Sequence, residues 1–254
     1  MRLCKHRPQK NNSAVKEPRP RLGKAQSKNR QMKNKKEIRR ILITAGPTRE
    51  MLDPVRFISN LSTGELGFTL ANCALQQGYA VTLISGPTAL TPPRGIRFIP
   101  VVSSEDMRKA CEKHFFKQDA LIMTAAVADF TPSHREKQKI KRRETQSVVL
   151  KRTKDILAGL GPRKGERIVI GFCLETEKWL EYAKLKLQKK KLNGIVANFY
   201  EPGKVYPFGK NPMTSAFIGQ DLKMAVYRKL NKTQMSKKIL TWMEKLAVSQ
   251  GSSR

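Results

Sequence analysis

From Ile41 onward, short apolar runs alternate with helix-patterned segments, and that alternation leaves the chain few folds to choose from. ILITAG (41–46), YAVTLISGP (79–87), IRFIPV (96–101), DALIMTAAVADF (119–130), IVIGF (168–172) and GIVAN (194–198) are almost continuously apolar, and the first two end in Gly or Gly-Pro. Strands buried on both faces read this way. Between them lie TGELGFTLANCALQQ (63–77), stopping at Gly78, and SSEDMRKACEKHFF (103–116), opened by a Ser cap with acids in its first turn. TEKWLEYAKLKLQKKK (176–191) is a third helical stretch. Strands alternating with helices imply parallel pairing through crossovers. The expected fold is α/β: a Rossmann-like, three-layer α/β/α arrangement with a mostly parallel sheet. A late β-hairpin over 214–227 and an amphipathic helix over 233–247 complete it. In such sheets ligands sit outside the carboxyl ends of the strands. TAGPTRE, SGP, TAAVADF and GFCLET should therefore share one functional edge.

Composition narrows the class. The 254 residues include 51 Lys and Arg against 20 Asp and Glu, a formal net charge of +31, and mean hydropathy is −0.51. No apolar run approaches the roughly 18–20 residues of a membrane span, and the basic N-terminus lacks the apolar stretch of a secretory signal. Four cysteines, at 4, 73, 111 and 173, form no CxxC pair, and there are three histidines. That argues against a disulfide scaffold, a zinc site or a histidine-bound metal, and for a reducing, cytoplasmic location. Cys73, Cys111 and Cys173 fall in apolar patterns and read as core. Residues 1–40 hold 15 Lys and Arg against two acids, without apolar periodicity. They read as a disordered basic arm ahead of one nucleotide-binding domain over 41–254. The arm either contacts a polyanion or is a tolerated extension, with Met32 nearer the start. With no interleaved aromatics and no nucleic-acid motif, the second reading is favoured.

The edge loops carry the chemistry. In TAGPTREMLDPVRFISNLSTGELG (44–67), small residues after a strand let backbone N–H groups approach an anion, and the helix opening near Thr63 adds its positive end. Gly64 and Gly67 do not make GxGxxG, so a phosphate or nucleotide site without a nicotinamide is expected. Asn60 precedes that helix; its amide either donates to an oxygen where negative charge develops or simply shapes the turn. At the end of TAAVADF, Asp129 either holds a ribose hydroxyl, a base amine or magnesium, or is a solvated loop acid. Lys137, Lys139, Lys141, Arg142 and Arg143 form a basic run that closes over a triphosphate or is a solvated face. Lys186 and Lys190, four apart, share a helix face.

Together these strings resemble one family, phosphopantothenate–cysteine ligase, the synthetase half of the bacterial coenzyme A flavoprotein. The resemblance rests on ITAGPTRE (43–50), LDPVRFISNLSTGELGF (52–68), VTLISGP (81–87), AAVADF (125–130), KIK (139–141), KDIL (154–157), GFCLET (171–176) and IVAN (195–198). It implies a CTP-dependent ligase that joins 4'-phosphopantothenate to cysteine through an acyl-cytidylate, with Mg2+ on the triphosphate and no flavin. By motif position it implies catalytic roles for Asn60 and for Lys139, the lysine of a mobile flap. It implies nucleotide contacts from Gly46, Ala125, Ala126, Asp129, Lys139, Lys154, Asp155, Ile156, Leu157, Phe172, Lys186 and Lys190. Ser62, Thr63 and Gly64 would bind substrate or phosphate. A homodimer is implied, with the hairpin region near 201–227 as interface. The chain departs from the family at Glu65, where a basic residue is usual, and at 198–200 and 208–213. A short-chain oxidoreductase is a rival reading, disfavoured by the absent GxxxGxG turn and Tyr-xxx-Lys pair. A basic nucleic-acid-associated protein on the same fold is another.

Overall fold

Ile41 to Ala45 are all fully buried, and they alternate between the two faces of β1 (Arg40–Ala45): Ile41, Ile43 and Ala45 enter one apolar cluster, Leu42 the other. An unbroken apolar run is what a strand covered on both sides requires, and each fully buried Ile or Leu contributes roughly 1.5–3 kcal/mol. The computed structural model describes residues 37–142, 144–203 and 208–252. After β1 come the short strands β2 (Arg49–Met51) and β3 (Phe57–Ser59), helix α1 (Glu65–Gln76), β4 (Ala80–Ser85), β5 (Arg97–Pro100) and α2 (Ser104–Phe115). The chain continues through β6 (Ala120–Met123), β7 (Phe130–Pro132), β8 (Leu150–Arg152), α3 (Ile156–Leu160) and β9 (Ile168–Glu175). It ends with α4 (Trp179–Lys189), β10 (Gly194–Phe199), β11 (Met213–Gly219), β12 (Met224–Leu230) and α5 (Lys232–Ser252).

Eight strands form the main sheet in the order β12-β11-β10-β9-β6-β1-β4-β5. The six from β10 to β5 are parallel, while β11 and β12 add the late hairpin antiparallel at one edge. Winding runs outward in both directions from β1, so the topological switch lies between β1 and β6. Helices α1 and α5 cover one face, burying Phe68, Leu70, Ile239 and Met243. Helices α2, α3 and α4 cover the other with Met107, Phe115, Leu160 and Leu187. Cys73, Cys111 and Cys173 are buried free thiols, as their apolar settings implied.

Several boundaries differ from the sequence reading. The strand expected over 119–130 stops at Met123, because the next residues peel away to bond the loop after β1. Helix α1 begins at Glu65 rather than Thr63, since Gly64 takes φ +82, a left-handed conformation that stops the helix there. The stretch 176–191 is helical only from Trp179 to Lys189, with β9 running on to Glu175 opposite Phe199. Residues 44–67, read as a loop and helix start, also contain the β2–β3 hairpin, and Phe130–Pro132 pairs with Leu150–Arg152 as a second small ribbon. Folded structure also starts before Ile41: Ile38 is in the core, and the Arg39 and Arg40 amides donate to Asp119 Oδ2 at 3.0 and 2.9 Å. The basic arm lies, up to residue 36, outside the described residues. Ser103 caps α2 as expected, in a reciprocal box with Asp106. Among the described residues no helix is long and apolar enough to cross a membrane.

Candidate active site

At the switch point the loop after β6 is stitched to the loop after β1. Thr124 Oγ1 donates to the Thr44 carbonyl at 2.6 Å, and the Ala125 amide donates to Thr44 Oγ1 at 3.2 Å. The Ala126 amide donates to the Gly46 carbonyl at 2.9 Å, and the Ala128 amide to Thr48 Oγ1 at 3.0 Å. The Ala126 carbonyl in turn accepts from the Thr48 amide and from Asn60 Nδ2, the latter at 3.0 Å. Thus the small residues of TAAVAD are held as an extended shelf, and Asn60 is tied to its centre.

Two cavities open on this shelf. The larger, ≈ 620 Å3, is lined by Asn60, Ser62, Thr63, Gly64, Ala125, Ala126 and, from later elements, Asn198, Met213 and Lys232. The start of α1 closes one side. A methyl at Gly67 would lie 2.5 Å from Ala45 Cβ and 2.7 Å from Thr124 Oγ1, so only glycine lets the helix sit this close to the end of β1. Glu65, Thr124 and Cys173 also line this cavity. Burial pushes the Cys173 thiol up to about 11, which leaves it a neutral wall residue.

The smaller cavity, ≈ 440 Å3, is lined by Lys154, Asp155, Ile156, Leu157, Lys186 and Lys190. Ala125, Val127, Asp129 and Phe172 line both cavities and so mark where they meet. Lys186 Nζ donates to Glu175 Oε1 at 2.5 Å, and Lys190 pairs with Asp155 at 2.8 Å. Burial alone would lower the Lys186 ammonium, but Glu175, with Cys173 and Asp129, outweighs it and holds the group above its ordinary value. Asp155 shows the opposite case: burial would raise it, yet Lys190 and the Ala158 amide hold it low. Its Oδ1 caps α3 by accepting from that amide at 2.9 Å.

The structure thus gathers Asn60, Ser62, Thr63, Gly64, Ala125, Ala126, Asp129, Phe172, the KDIL residues, Lys186 and Lys190 around two joined cavities. Two candidates stand apart. Gly46 packs behind the glycine turn, its Cα 3.3 Å from where a Gly64 methyl would sit. Lys139 is exposed and lines neither cavity. Lys190 is the residue capping α4 rather than part of it, though it still shares the smaller cavity with Lys186.

Sequence reasoning missed Lys232, the first residue of α5. It is only 7% exposed and lines the larger cavity, with Nζ 2.7 Å from Met213 Sδ. Burial pushes its ammonium down to about 8, with Glu65 pulling the other way. Also missed was Asp53, fully buried in the β2–β3 turn. Among the described residues no group of three or more His, Cys, Asp or Glu could hold a metal ion.

A doubly wound, mostly parallel sheet with paired cavities at its switch point defines a Rossmann-like α/β domain with its site at the carboxyl ends of the strands. The chain belongs to the family described as the DNA/pantothenate metabolism flavoprotein C-terminal domain, which matches residues 36–246. It is 49% identical over 164 residues to the coenzyme A biosynthesis bifunctional protein CoaBC of Bacillus subtilis, covering 64% of this chain and 40% of that protein. The Vibrio parahaemolyticus protein of the same name is 38% identical over 211 residues, 81% of this chain and 52% of its own length. The chain spans about half the length, or less, of these curated relatives. A crystal structure of the C-terminal domain of CoaBC superposes with a TM-score of 0.70 at 37% identity, covering 84% of this chain and 97% of that one. A Cab2 mutant in complex with phosphopantothenate-cysteine shares the fold at 16% identity and TM-score 0.68, covering 91% and 96%.

Proposed function

We propose that this chain is a phosphopantothenate–cysteine ligase that uses CTP. The observation that carries the reading is the pair of joined cavities: one lined by cations and apolar side chains suited to a base and ribose, the other by a glycine helix start, Asn60 and Lys232. The cytosine and ribose occupy the smaller cavity, against Phe172, Ile156 and Leu157 and within reach of Lys186, Lys190 and Asp129. The phosphates cross into the larger cavity, toward the amides at the start of α1 and toward Lys232.

In the first half-reaction the carboxylate of phosphopantothenate attacks the α-phosphorus of CTP. The P–O bond to pyrophosphate breaks, giving the acyl-cytidylate. In the second, the cysteine amine attacks the activated carbonyl, a C–N bond forms, CMP leaves with the electron pair of the acyl C–O bond, and the amine loses a proton. Asn60, fixed by its bond to the Ala126 carbonyl, keeps a second amide hydrogen for the carbonyl oxygen on which charge builds. Lys139 belongs to a basic segment that closes over the triphosphate. Mg2+, when bound, neutralises phosphate charge; the carboxylates lining the larger cavity, Asp129 and Glu65, suit an ion held chiefly by the phosphates.

The full set of substrates and the homodimer belong to the same reading. Pyrophosphate release, measured with CTP and phosphopantothenate before and after adding cysteine, tests it. A burst without cysteine and steady turnover with it is expected. Pyrophosphate release that ignores phosphopantothenate would overturn it.

A further inference from the structure

Asp53 is a buried carboxylate that the proposed reaction does not use, and its bonds lead to a distant segment. Within the turn, Oδ1 accepts from the Val55 and Arg56 amides, both at 2.8 Å. Such a bond pattern is how an aspartate shapes its own turn. Oδ2 accepts from Arg56 Nε at 2.9 Å and Nη2 at 2.6 Å. The same Oδ2 accepts from the Ile140 amide at 3.1 Å, 87 residues along the chain. Arg56 Nη2 completes the ring by donating to the Ile140 carbonyl at 2.8 Å. The backbone N–H and C=O of one residue, Ile140, are therefore both held by one ion pair, in which Asp53 is buried and Arg56 half-exposed. A second tie, from the Glu136 amide to the Leu52 carbonyl at 2.9 Å, holds the same segment four residues earlier.

The gripped residue is the middle of KIK. Lys139 and Lys141 flank it and are both exposed, while Ile140 is partly buried. Burial would raise the Asp53 carboxyl, but the Arg56 guanidinium and the Val55, Ile140 and Arg56 amides hold it well below the usual carboxylate range. The grip therefore stays charged across the physiological range.

We infer that Asp53 and Arg56 are positioning residues: they pin the 136–142 segment at Ile140 and so set how far Lys139 reaches over the nucleotide phosphates. This rests on the ligase reading of the site. The DPVR turn is, in this account, the fixed point of the basic flap rather than a contact to substrate.

Two variants break the grip from opposite sides. Arg56→Gln removes the donor to the Ile140 carbonyl, and Ile140→Pro removes the amide that bonds Asp53 while leaving the 52–56 turn untouched. Trypsin cleavage after Lys137 and Lys141 in the ligand-free protein reads the tether directly. Both variants should be cut at least tenfold faster there, at a temperature at which circular dichroism shows each of them folded. A double-mutant cycle with Lys139→Gln reads the coupling. Arg56→Gln should lower kcat/KM for CTP by about ten- to a hundredfold in the wild-type background, and by less than threefold once Lys139 is Gln. Unchanged cleavage in both variants would overturn the tether. Faster cleavage with the same catalytic loss in both backgrounds would overturn the link to Lys139 while leaving the ligase reading intact. Wild-type protein that releases no pyrophosphate would overturn the ligase reading and the Lys139 link with it, and the cleavage result would still decide the tether.

Discussion

Lys232 offers the sharpest test of where the phosphates lie. Its ammonium, pushed down to about 8 by burial, is about 90% charged at pH 7 and only about 10% at pH 9. A bound triphosphate would hold Lys232 protonated, so above pH 8 binding must first supply the proton. The apparent Kd for CTP should then rise about tenfold between pH 7 and pH 9, close to 1.4 kcal/mol. Titration calorimetry with CTP at pH 7, 8 and 9 measures this. Lys232→Met fits the buried, Met213-lined position without a charge. It should bind CTP more weakly at pH 7, and its affinity should be flat across the range.

Stability supplies an independent readout on the same residue. Because the folded value lies below the ordinary 10.5, the unfolded chain holds a proton between about pH 8 and 10.5 that the native state has released. Native stability should accordingly rise with pH through that window, and the burial penalty should be present in full below pH 8. Lys232→Met should melt higher than wild type at pH 7, with the gain shrinking above pH 8. An alkaline loss of CTP affinity that survives in Lys232→Met would refute the assignment, whatever the melting curves show.

Three further outcomes follow from the geometry. Asn60→Asp replaces a donor facing the Ala126 carbonyl with a negative acceptor; cysteine attack should slow by about a hundred- to a thousandfold, with acyl-cytidylate accumulating in quenched reactions. Gly67→Ala should lose about 1–2 kcal/mol despite better helix propensity, because its methyl meets Ala45 and Thr124, whereas Gly159→Ala, with nothing within 4 Å, should gain up to about 1 kcal/mol; urea melts compare them. Lys186→Met takes an ammonium away from the smaller cavity and leaves Glu175 without that partner, so KM for CTP should rise more than kcat falls in steady-state kinetics.

What the sequence made legible is the local part. Ile41–Ala45 and Ile168–Ile170 announce doubly covered strands because every residue but Thr44 is apolar, and Ser103 with Asp106 announces a helix start because both bonds close within three residues. The glycines of STGELG mark a close helix approach, although their spacing does not say that Gly64 ends in the left-handed region and delays the helix to Glu65. The rest depends on partners far along the chain. Asp53 carries a visible turn signal in Asp-Pro, but its second role exists only because Ile140 is folded back onto it. From its neighbours alone the basic run around Lys139 is open to two readings, a cover for a triphosphate or a solvated face. Lys232 sits among polar and basic residues in NKTQMSKK, where nothing local separates it from Lys237 or Lys238. What distinguishes it is the edge of the sheet: β11 places Met213 against it, and α1 brings Glu65 near enough to pull on its charge. Residues that build the sheet are written in the sequence as periodicity, whereas those that tune the site acquire their properties from the crossing of β1, β6 and the late hairpin. Lys232→Met and Lys237→Met should separate the two kinds: only the first alters CTP affinity, though both remove the same formal charge.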